Sequence, residues 1–429
     1  PEWLQWPLDR TCEYDRSDRR IAGNCGIHSD SDTAMRTTRP WKRPDSLLMM
    51  MAAAVPISFA AWQALLNNFA IEMAAFTGKE MGILQSLREI PGFLAFGVIF
   101  LLLLFREQTL AYVSLLLLGI GTALTGFFPS VLGLYLTTIV MSIGFHYYET
   151  LQTSLALQWI DKQQSAETLG RLIATGSFAA ILTFGLIWLG SDLLQLDYQW
   201  LYLLTGGITI AIALIAWTAF PLFPQQTEQH KHMVFRRRYW LYYALTFMSG
   251  ARRQIFVVFA GFLMVEKFGY SVSDIAMLFL LNASLNVLFA RRIGRLVGRI
   301  GERNTLLIEY TGLILIFSGY ALVEQAELAA GLYVLDHLFF AMAIALKTYF
   351  QKIAAPQDIA ATAGVSFSIN HIAAVMIPAS FGLLWLTSPE LVFYSGAAMA
   401  LVSLLLSLLI PDTPEAGCEH RFSRLATER

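Results

Sequence analysis

The sequence is poor in charge for its length. Charged residues make up 14% of the 429 positions, hydrophobic residues make up 56%, and the mean hydropathy is +0.55. A soluble domain carries about 25% charged residues. The composition therefore excludes an ordinary soluble globular protein and indicates an integral membrane protein. The formal net charge of −1 gives no support to a nucleic-acid partner.

Cysteine and the usual catalytic motifs are scarce as well. The three cysteines, Cys12, Cys25 and Cys418, lie outside the apolar runs and lack the spacing of metal ligands. They indicate neither a disulfide framework nor a metal site. The chain also lacks a phosphate-cradling glycine loop and a recognisable nucleophile motif. We therefore expect no cofactor and no enzyme activity, and an ATP-driven pump is disfavoured.

Residues 1–45 are polar and contain no apolar stretch long enough for a cleavable signal. They would bury too little apolar surface to offset the entropy of ordering the chain. We expect a disordered cytoplasmic segment here, with a small folded module as the weaker alternative. Met35 has the character of a natural start, which would leave residues 1–34 outside the native protein.

Long apolar runs follow one another from Ser46 onward. A helix needs about 20 residues to cross the ~30 Å hydrocarbon layer, and the runs predict twelve transmembrane helices. The predicted spans are 46–70, 81–105, 109–127, 131–157, 170–190, 198–219, 239–265, 273–290, 304–323, 328–350, 361–386 and 390–410.

The basic residues between the spans are distributed unevenly. One side has only Lys79 and Lys267, and the other has most of the remaining lysines and arginines. Basic residues in short loops stay in the cytoplasm, so both termini are predicted to be cytoplasmic. We expect a multi-pass protein of a bacterial inner membrane. The predicted domains are 46–220 and 239–410, each with six spans, joined by a cytoplasmic loop at 221–238 and followed by a cytoplasmic tail at 411–429.

An internal repeat supports the same division. Residues 77–92 align with 271–286, and 166–171 align with 360–365, at one common offset of 194. Chance similarity between apolar segments is the competing explanation. Agreement of two separate segments on one offset favours two halves in parallel orientation.

Residues 290–306, ARRIGRLVGRIGERNTL, form a basic stretch between two apolar runs. Gly294, Arg299, Gly301 and Arg303 fit the loop signature G-x-x-x-D-R-x-G-R-R, while Gly298 and Glu302 depart from it. The stretch resembles that of the major facilitator superfamily. The resemblance implies an all-α fold of twelve transmembrane helices in two six-helix bundles, rocking about a central site. It also implies a gating loop formed by Gly294, Arg295, Arg299, Gly301 and Arg303, whereas a positive-inside loop without a gating role is the alternative.

Two features limit the resemblance. The loop between the second and third spans has only FREQT around Arg106, without the glycines or the Asp of the signature. A gate in the first half is therefore doubtful. The fifth span lacks the Gly-Pro pattern of proton-antiporting drug exporters, which disfavours drug efflux without excluding it.

Charged side chains inside the spans are costly and usually face a cavity or a partner. Arg88 and Glu89 lie in the second span, before Pro91 and Gly92. An Arg–Glu pair that bridges two helices is the structural alternative to a binding role. Arg252 and Arg253, followed by Gln254, lie near the middle of the seventh span. At least one of these arginines should line the central cavity or meet a buried acid.

Further polar candidates lie in the fourth, tenth and eleventh spans. Glu149 and Lys347 occupy related positions and could bridge the two halves, or could simply be wetted at helix ends. We predict substrate binding by Arg88, Arg252, Arg253, Gln254 and Lys347. We predict proton coupling by Glu89, Glu149, Asp336, His146 and His371.

The sequence thus predicts a secondary-active transporter that moves a small organic solute, coupled to protons, by alternating access. The paired arginines favour an organic anion as the substrate. The alternatives are a drug/proton efflux transporter, a non-transporting membrane sensor and a membrane-embedded enzyme. We expect a monomer whose partners are the solute, protons and the lipid bilayer.

Overall fold

The computed structural model describes residues 42–94, 97–102, 104–159, 165–224, 235–355 and 358–421. The predicted disordered segment lies outside the described residues except at its end, and so does the middle of the predicted central loop. The described chain is helical. Its helices are α1 (Pro44–Ala74), α2 (Gly78–Phe93), α3 (Val98–Leu102), α4 (Glu107–Thr125), α5 (Val131–Trp159), α6 (Ser165–Trp188), α7 (Tyr198–Ala219), α8 (Trp240–Gln254), α9 (Gly261–Glu266), α10 (Val272–Leu322), α11 (Ala326–Phe340), α12 (Ile344–Ile353), α13 (Ile359–Trp385) and α14 (Pro389–Ser407).

Eleven helical segments among the described residues are long and apolar enough to cross a membrane. Several combine two of the labelled helices, and α10 supplies two of the segments. The remaining predicted span, 81–105, corresponds to α2 and α3, between which residues 95 and 96 are not described. The predicted order of spans therefore agrees with the helices along the described chain.

The two halves begin corresponding helices in the same way. Thr77 caps α2 with Glu80 in a capping box, and Ser271 caps α10 with Asp274 in a second capping box. Each box satisfies amide groups that a helix start leaves unpaired. Thr77 and Ser271 are the residues that the predicted repeat aligns, so the structure places the repeat at matching helix starts.

The basic stretch at 290–306 differs from its prediction as a loop. The helix that starts at Val272 continues through this stretch until Gly301, which has φ of +80° and breaks α10 into two helices. Only glycine adopts this backbone conformation without strain. Because leucine, isoleucine and valine are interspersed with the arginines, the stretch can continue as a helix up to the glycine.

Each half packs mainly within itself. In the first half, α4 lies against α5 and α7, while α1 lies against α6 and α7. In the second half, α10 lies against α11 and α14, while α8 lies against α13 and α14. The halves meet through α2 against α13 and α6 against α10.

Close contacts between the halves lie near the ends opposite the arginine-rich stretch. Ser86 Oγ accepts a hydrogen bond from the Ala379 amide at 2.9 Å, and Asn68 donates to the Tyr270 carbonyl at 2.7 Å. Phe184 and Phe279 pack with ring centroids 5.3 Å apart. Towards the arginine-rich end, Val287 and Leu288 are exposed. The contacts between the halves that the described residues make therefore concentrate at one end of the molecule, here called the closed end.

Candidate functional site

The charged residues inside the helices gather in two groups near mid-helix. The first, here called the inter-bundle cluster, consists of Arg88, Glu89, His146 and His371. The second, here called the second-half cluster, consists of Arg252, Glu309 and Asp336. Each cluster combines an arginine predicted to bind the substrate with at least one residue predicted to couple protons.

The inter-bundle cluster joins helices of both halves. Glu89 on α2 forms an ion pair with Arg88 through its Oε1 atom, and its Oε2 atom lies 3.8 Å from His371 Nε2 on α13. The imidazole rings of His146, on α5, and His371 meet edge to face with centroids 5.3 Å apart. All four side chains are buried. Arg88 and Glu89 therefore pair with each other within α2, so this ion pair is not the bridge between two helices that the sequence offered as an alternative.

The local sequence makes room for this cluster at Gly92. A Cβ atom at Gly92 would lie only 2.7 Å from His146 Cε1 and would also overlap His371. The absence of a side chain thus lets two imidazoles from different halves approach the α2 backbone. Pro91 is accommodated within the last turn of α2, which ends at Phe93, two residues later.

Aromatic rings surround the guanidinium of Arg88. The rings of Phe59 and Trp62 lie 6.0 and 5.9 Å from its central carbon. The Arg88 carbonyl accepts a hydrogen bond from Ser142 Oγ on α5. Arg88 is therefore held by one carboxylate and the aromatic faces of α1, which makes direct contact between this residue and a solute less favourable.

The second-half cluster lies within the second half alone. Arg252 on α8 is 3.8 Å from Glu309 on α10, and its guanidinium lies 4.4 Å from the centroid of the Tyr310 ring. Asp336 on α11 interacts electrostatically with Arg252. Both Glu309 oxygens and the Asp336 Oδ2 atom are buried without a hydrogen-bond partner. The cluster thus sets two carboxyl groups against one guanidinium in an apolar interior.

The adjacent arginines of α8 point in different directions, as the 100° rotation per helical residue requires. The Arg252 side chain is 3% exposed, whereas Arg253 is exposed. The charge of Arg253 interacts with those of Glu89, Arg88 and Glu149, all from the first half. Arg253 therefore faces the space between the halves, and Arg252 meets the buried acid. The sequence required at least one of these two arrangements, and both occur.

A π-helical turn follows this site directly. Residues 255–260 form one wide turn between α8 and α9. Such turns are frequent at functional sites because an extra residue changes the direction of nearby side chains. Nothing in the sequence pattern indicated it.

A small cavity lies between Arg252, Arg253 and Asp336 and measures about 10 Å³. This is about the volume that the centre of one water molecule requires. Ser249, Phe256, Leu313, Phe317 and Phe340 complete its lining. The cavity therefore lies at the boundary between the exposed arginine and the buried acids.

The remaining predicted binding and coupling residues lie around these clusters. Gln254 is buried and its Oε1 atom has no hydrogen-bond partner. Glu149 is exposed, with a carboxylate oxygen 4.0 Å from His146 Nδ1. Lys347 is exposed on α12. The predicted bridge between Glu149 and Lys347 stays a prediction.

The predicted gating residues divide into two groups. Gly294, Arg295 and Arg299 are exposed on the helical part of the basic stretch, where Arg295 and Arg299 border a surface groove of about 450 Å³. Arg303, after the Gly301 break, forms an ion pair with Asp412, which follows α14. The same turn pairs Glu302 with Lys352 at 2.7 Å. Their gating role stays a prediction.

Sequence reasoning did not include Glu309 among the site residues. Glu309 lies within the predicted span 304–323, and the only feature of the sequence that indicated it is that it is an acidic residue in an apolar run. The meeting of Glu89, His146 and His371 was also missed, because it depends on the packing of three helices. One ligand atom from each of these three residues lies within 4.8 Å of the others. The sequence indicated no metal site, but two imidazoles and a carboxylate are residue types that bind transition metals.

Two helical halves whose helices are long and apolar enough to cross a membrane, with charged side chains buried between and within them, are typical of a membrane transport protein. The family model of the Major Facilitator Superfamily matches residues 46–378, and the chain belongs to this family. The predicted fold class, with twelve transmembrane helices in two six-helix bundles, is confirmed.

Solved structures share this fold at low sequence identity. A point mutant of the nucleoside transporter NupG matches with a TM-score of 0.71 and 14% identity, covering 85% of this chain and 99% of its own. NupG without that mutation has a TM-score of 0.68 and 16% identity, with 85% and 98% covered. A bacterial homologue of the human lysosomal transporter Spinster, inward-facing and unoccupied, has a TM-score of 0.65 and 14% identity, with 91% and 98% covered. No curated protein matches the chain.

Proposed function

We propose that this transporter carries a small organic anion across a bacterial inner membrane, driven by protons, through alternating access. The observation that carries the proposal is that the two adjacent arginines of α8 differ in burial and in the groups that they face. Arg253 is exposed in the space between the halves, while Arg252 is buried beside Glu309 and Asp336.

Arg253 supports an anionic substrate. Its guanidinium lies at mid-helix, 5.6 Å from the centroid of the Phe340 ring, which borders the small cavity. A guanidinium offers a planar pair of donors that fits a carboxylate or a phosphate. Lys347 and Gln254 would provide the polar groups that bind the other end of the substrate. Arg88 is already paired with Glu89.

The second-half cluster supports proton coupling. With both acids ionised, two negative charges face one positive charge in an apolar interior, which is costly. One proton makes the cluster neutral. Because the small cavity lies between Arg253 and Asp336, binding of an anion at Arg253 and of a proton at Asp336 or Glu309 would favour each other electrostatically. Proton coupling stays a prediction for four further residues, whose side chains are also of types that bind cations: Glu89, His146, Glu149 and His371.

Orientation follows from the charge distribution. The end opposite the closed end carries Arg292, Arg295 and Arg299, so the positive-inside tendency favours a cytoplasmic location for it, together with both termini. We propose that the protein is a monomer, because one copy of the chain contributes both halves that surround the cavity.

Transport by purified protein in liposomes tests the proposal. The panel contains radiolabelled mono- and dicarboxylates, a sugar phosphate, nucleosides and an organic cation, each with and without an imposed pH gradient. We expect an anion to accumulate only with the gradient, and a protonophore to abolish the accumulation. Liposomes with the Arg253→Ala protein are the matched control.

Other outcomes separate the parts of the proposal. Nucleosides form a meaningful arm because NupG, which shares the fold, is a nucleoside transporter. Uptake of nucleosides but not of anions would contradict the role of Arg253. Extrusion of the organic cation would support drug efflux, and transport of no solute under any gradient would support the sensor alternative.

A further inference from the structure

The geometry points to a transition-metal site formed by Glu89, His146 and His371, in which a divalent cation such as Zn²⁺ bridges the two halves. One ligand atom from each residue lies within 4.8 Å of the other two. Two imidazoles and one carboxylate are a common ligand set for Zn²⁺ and related ions. The cation is proposed as a ligand that stabilises the present conformation, separate from the transported solute.

Each ligand residue already has part of the required orientation. His371 Nδ1 lies 2.9 Å from the Phe367 carbonyl. A proton on Nδ1 would complete this hydrogen bond and leave Nε2 with its lone pair towards Glu89. Fixing one imidazole nitrogen by a carbonyl is the usual support of a metal-binding histidine. Glu89 uses Oε1 for Arg88, so Oε2 is the oxygen that faces His371.

His146 supplies an independent observation. Its side chain is 6% exposed, and its Nδ1 atom has no hydrogen-bond partner. A buried nitrogen without a partner is costly, and a ligand would remove that cost. The Glu149 carboxylate lies 4.0 Å from this nitrogen, so it is placed to support the ring or to complete the coordination.

Small movements are enough to form the site. Ligands about 2.1 Å from a tetrahedral Zn²⁺ are separated from each other by roughly 3.4 Å. Glu89 Oε2 and His371 Nε2 are 3.8 Å apart, so rotamer adjustment brings them to bonding distance. Gly92 lets both rings lie this close to the α2 backbone, because a Cβ at this position would overlap them.

The neighbouring charges set the expected affinity and its consequence. The cation of Arg88 beside Glu89 repels a divalent ion, so we expect micromolar rather than nanomolar binding. Two ligands come from the first half and one from the second. Binding to this conformation and not to one with separated halves would stabilise the closed contact between α2 and α13. The ion would therefore slow transport.

Titration with Co²⁺, followed by its visible absorption, tests the site in detergent-solubilised protein from which any affinity tag has been removed. The parent carries His230→Ala and His232→Ala, because two loop histidines so close in sequence can chelate an ion. We expect one bound ion with visible bands typical of four or five ligands, displaced by Zn²⁺. His371→Gln, His146→Gln and Glu89→Gln should each weaken binding at least tenfold.

The matched control is His337→Gln. His337 is also a partly enclosed histidine in the spans, and its ring packs against Phe256 with centroids 5.1 Å apart. Its replacement should leave Co²⁺ binding unchanged. Equal binding by the His371→Gln and His337→Gln proteins, or no binding at millimolar Co²⁺, would overturn the site. Thermal unfolding of each metal-free variant checks that it is folded.

Two further measurements test the bridge, the second of which rests on the proposed function. Zn²⁺ should raise the unfolding temperature of the parent by several degrees but not that of His371→Gln. It should also inhibit solute uptake by the parent at the concentrations that displace Co²⁺. Uptake of ⁶⁵Zn²⁺ into liposomes at a rate comparable to the solute would overturn the bridging role and make the cation a cargo.

Discussion

The two buried clusters differ in which helices build them. The inter-bundle cluster has Glu89 and His146 from the first half and His371 from the second. The second-half cluster has all three members, Arg252, Glu309 and Asp336, from one half. A cluster between halves must break or change when the halves rock apart. One within a half can move as a unit and hold a proton throughout.

The two clusters also differ in their balance of positive and negative charges. In the inter-bundle cluster one carboxylate, Glu89, is paired with one guanidinium, Arg88. In the second-half cluster, Arg252 has two acids to neutralise. In the proposed function, the first cluster would change with the contact between the halves, and the second would exchange a proton.

Neutralising the acids of the second-half cluster should have the largest effect. Glu309→Gln and Asp336→Asn, singly, remove the group that changes charge while keeping its shape. We expect gradient-driven accumulation to fall at least tenfold, while exchange of internal for external solute continues. The measurement is uptake into liposomes in both modes.

Glu302→Gln is the control for Glu309→Gln. Glu302 lies on the same helix, but its partner Lys352 is half exposed, so accumulation should change little. Loss of exchange and accumulation together in Glu309→Gln would indicate a structural role and remove the distinction between the clusters.

Replacing Arg253 by lysine should have the next largest effect. Arg253→Lys keeps the charge but loses the planar pair of donors, so we expect KM to rise about tenfold, equivalent to about 1.4 kcal/mol. Arg252→Lys is the comparison on the adjacent residue, because Arg252 meets Glu309 and not the open space. It should leave KM nearly unchanged. Equal KM values for the two variants would contradict the different roles of the arginines.

A side chain at Gly92 should disturb only the inter-bundle cluster. Gly92→Ala places a methyl group against His146 and His371, and such overpacking costs about 1 to 3 kcal/mol. We expect a lower unfolding temperature and a weaker contact between the halves. Thermal unfolding and cysteine accessibility at the closed end measure these effects.

Gly207→Ala is the control, since nothing lies within 4 Å of a Cβ at Gly207. Helix propensity predicts neutral or slightly increased stability for this change. If both alanine variants unfolded alike, the close approach at Gly92 would carry no energetic weight.

The smallest effect is expected at Asp358, outside the membrane. Its carboxylate accepts hydrogen bonds from Arg238 at 2.7 Å, Tyr239 at 3.0 Å and Arg236 at 3.3 Å. Burial opposes the charged form, but these hydrogen bonds hold the pKa of the Asp358 carboxyl below its usual range. The contribution to stability is therefore present above the unfolded pKa of about 3.9 and is lost as the pH falls through the folded value.

Asp358→Asn should accordingly lower the unfolding temperature slightly at pH 7. The difference from the parent should shrink as the pH falls below about 4. Thermal unfolding across this pH range provides the measurement. A difference that grows on acidification would show that the carboxyl is stabilised in its protonated form.

Several features of the fold followed from local sequence alone. The apolar runs predicted the order of the helices, since each span needs about 20 residues of apolar chain. The capping boxes at Thr77 and Ser271 fall on the residues aligned by the repeat. The basic stretch at 290–306 was predicted as a loop, because a short basic segment between two apolar runs is typical of a cytoplasmic membrane loop. The structure shows that only Gly301 interrupts the helix.

The site was predictable by residue type but not by partner. The cost of a charge in an apolar span identifies Arg88, Glu89, Arg252 and Asp336 from sequence alone. It does not show that Arg252 meets Glu309, since these residues are 57 positions apart on different helices. Nor does it show that Arg253 points the other way.

The sequence by itself determined that this chain lies in the membrane, how its helices are ordered, and which side chains are costly there, because hydropathy, charge and capping act over a few residues. Only the tertiary structure decided that His146 and His371 meet at Gly92, and that one arginine of α8 is buried while the next is exposed. Those outcomes depend on how helices far apart in the chain pack and rotate against each other, which no short stretch of residues specifies.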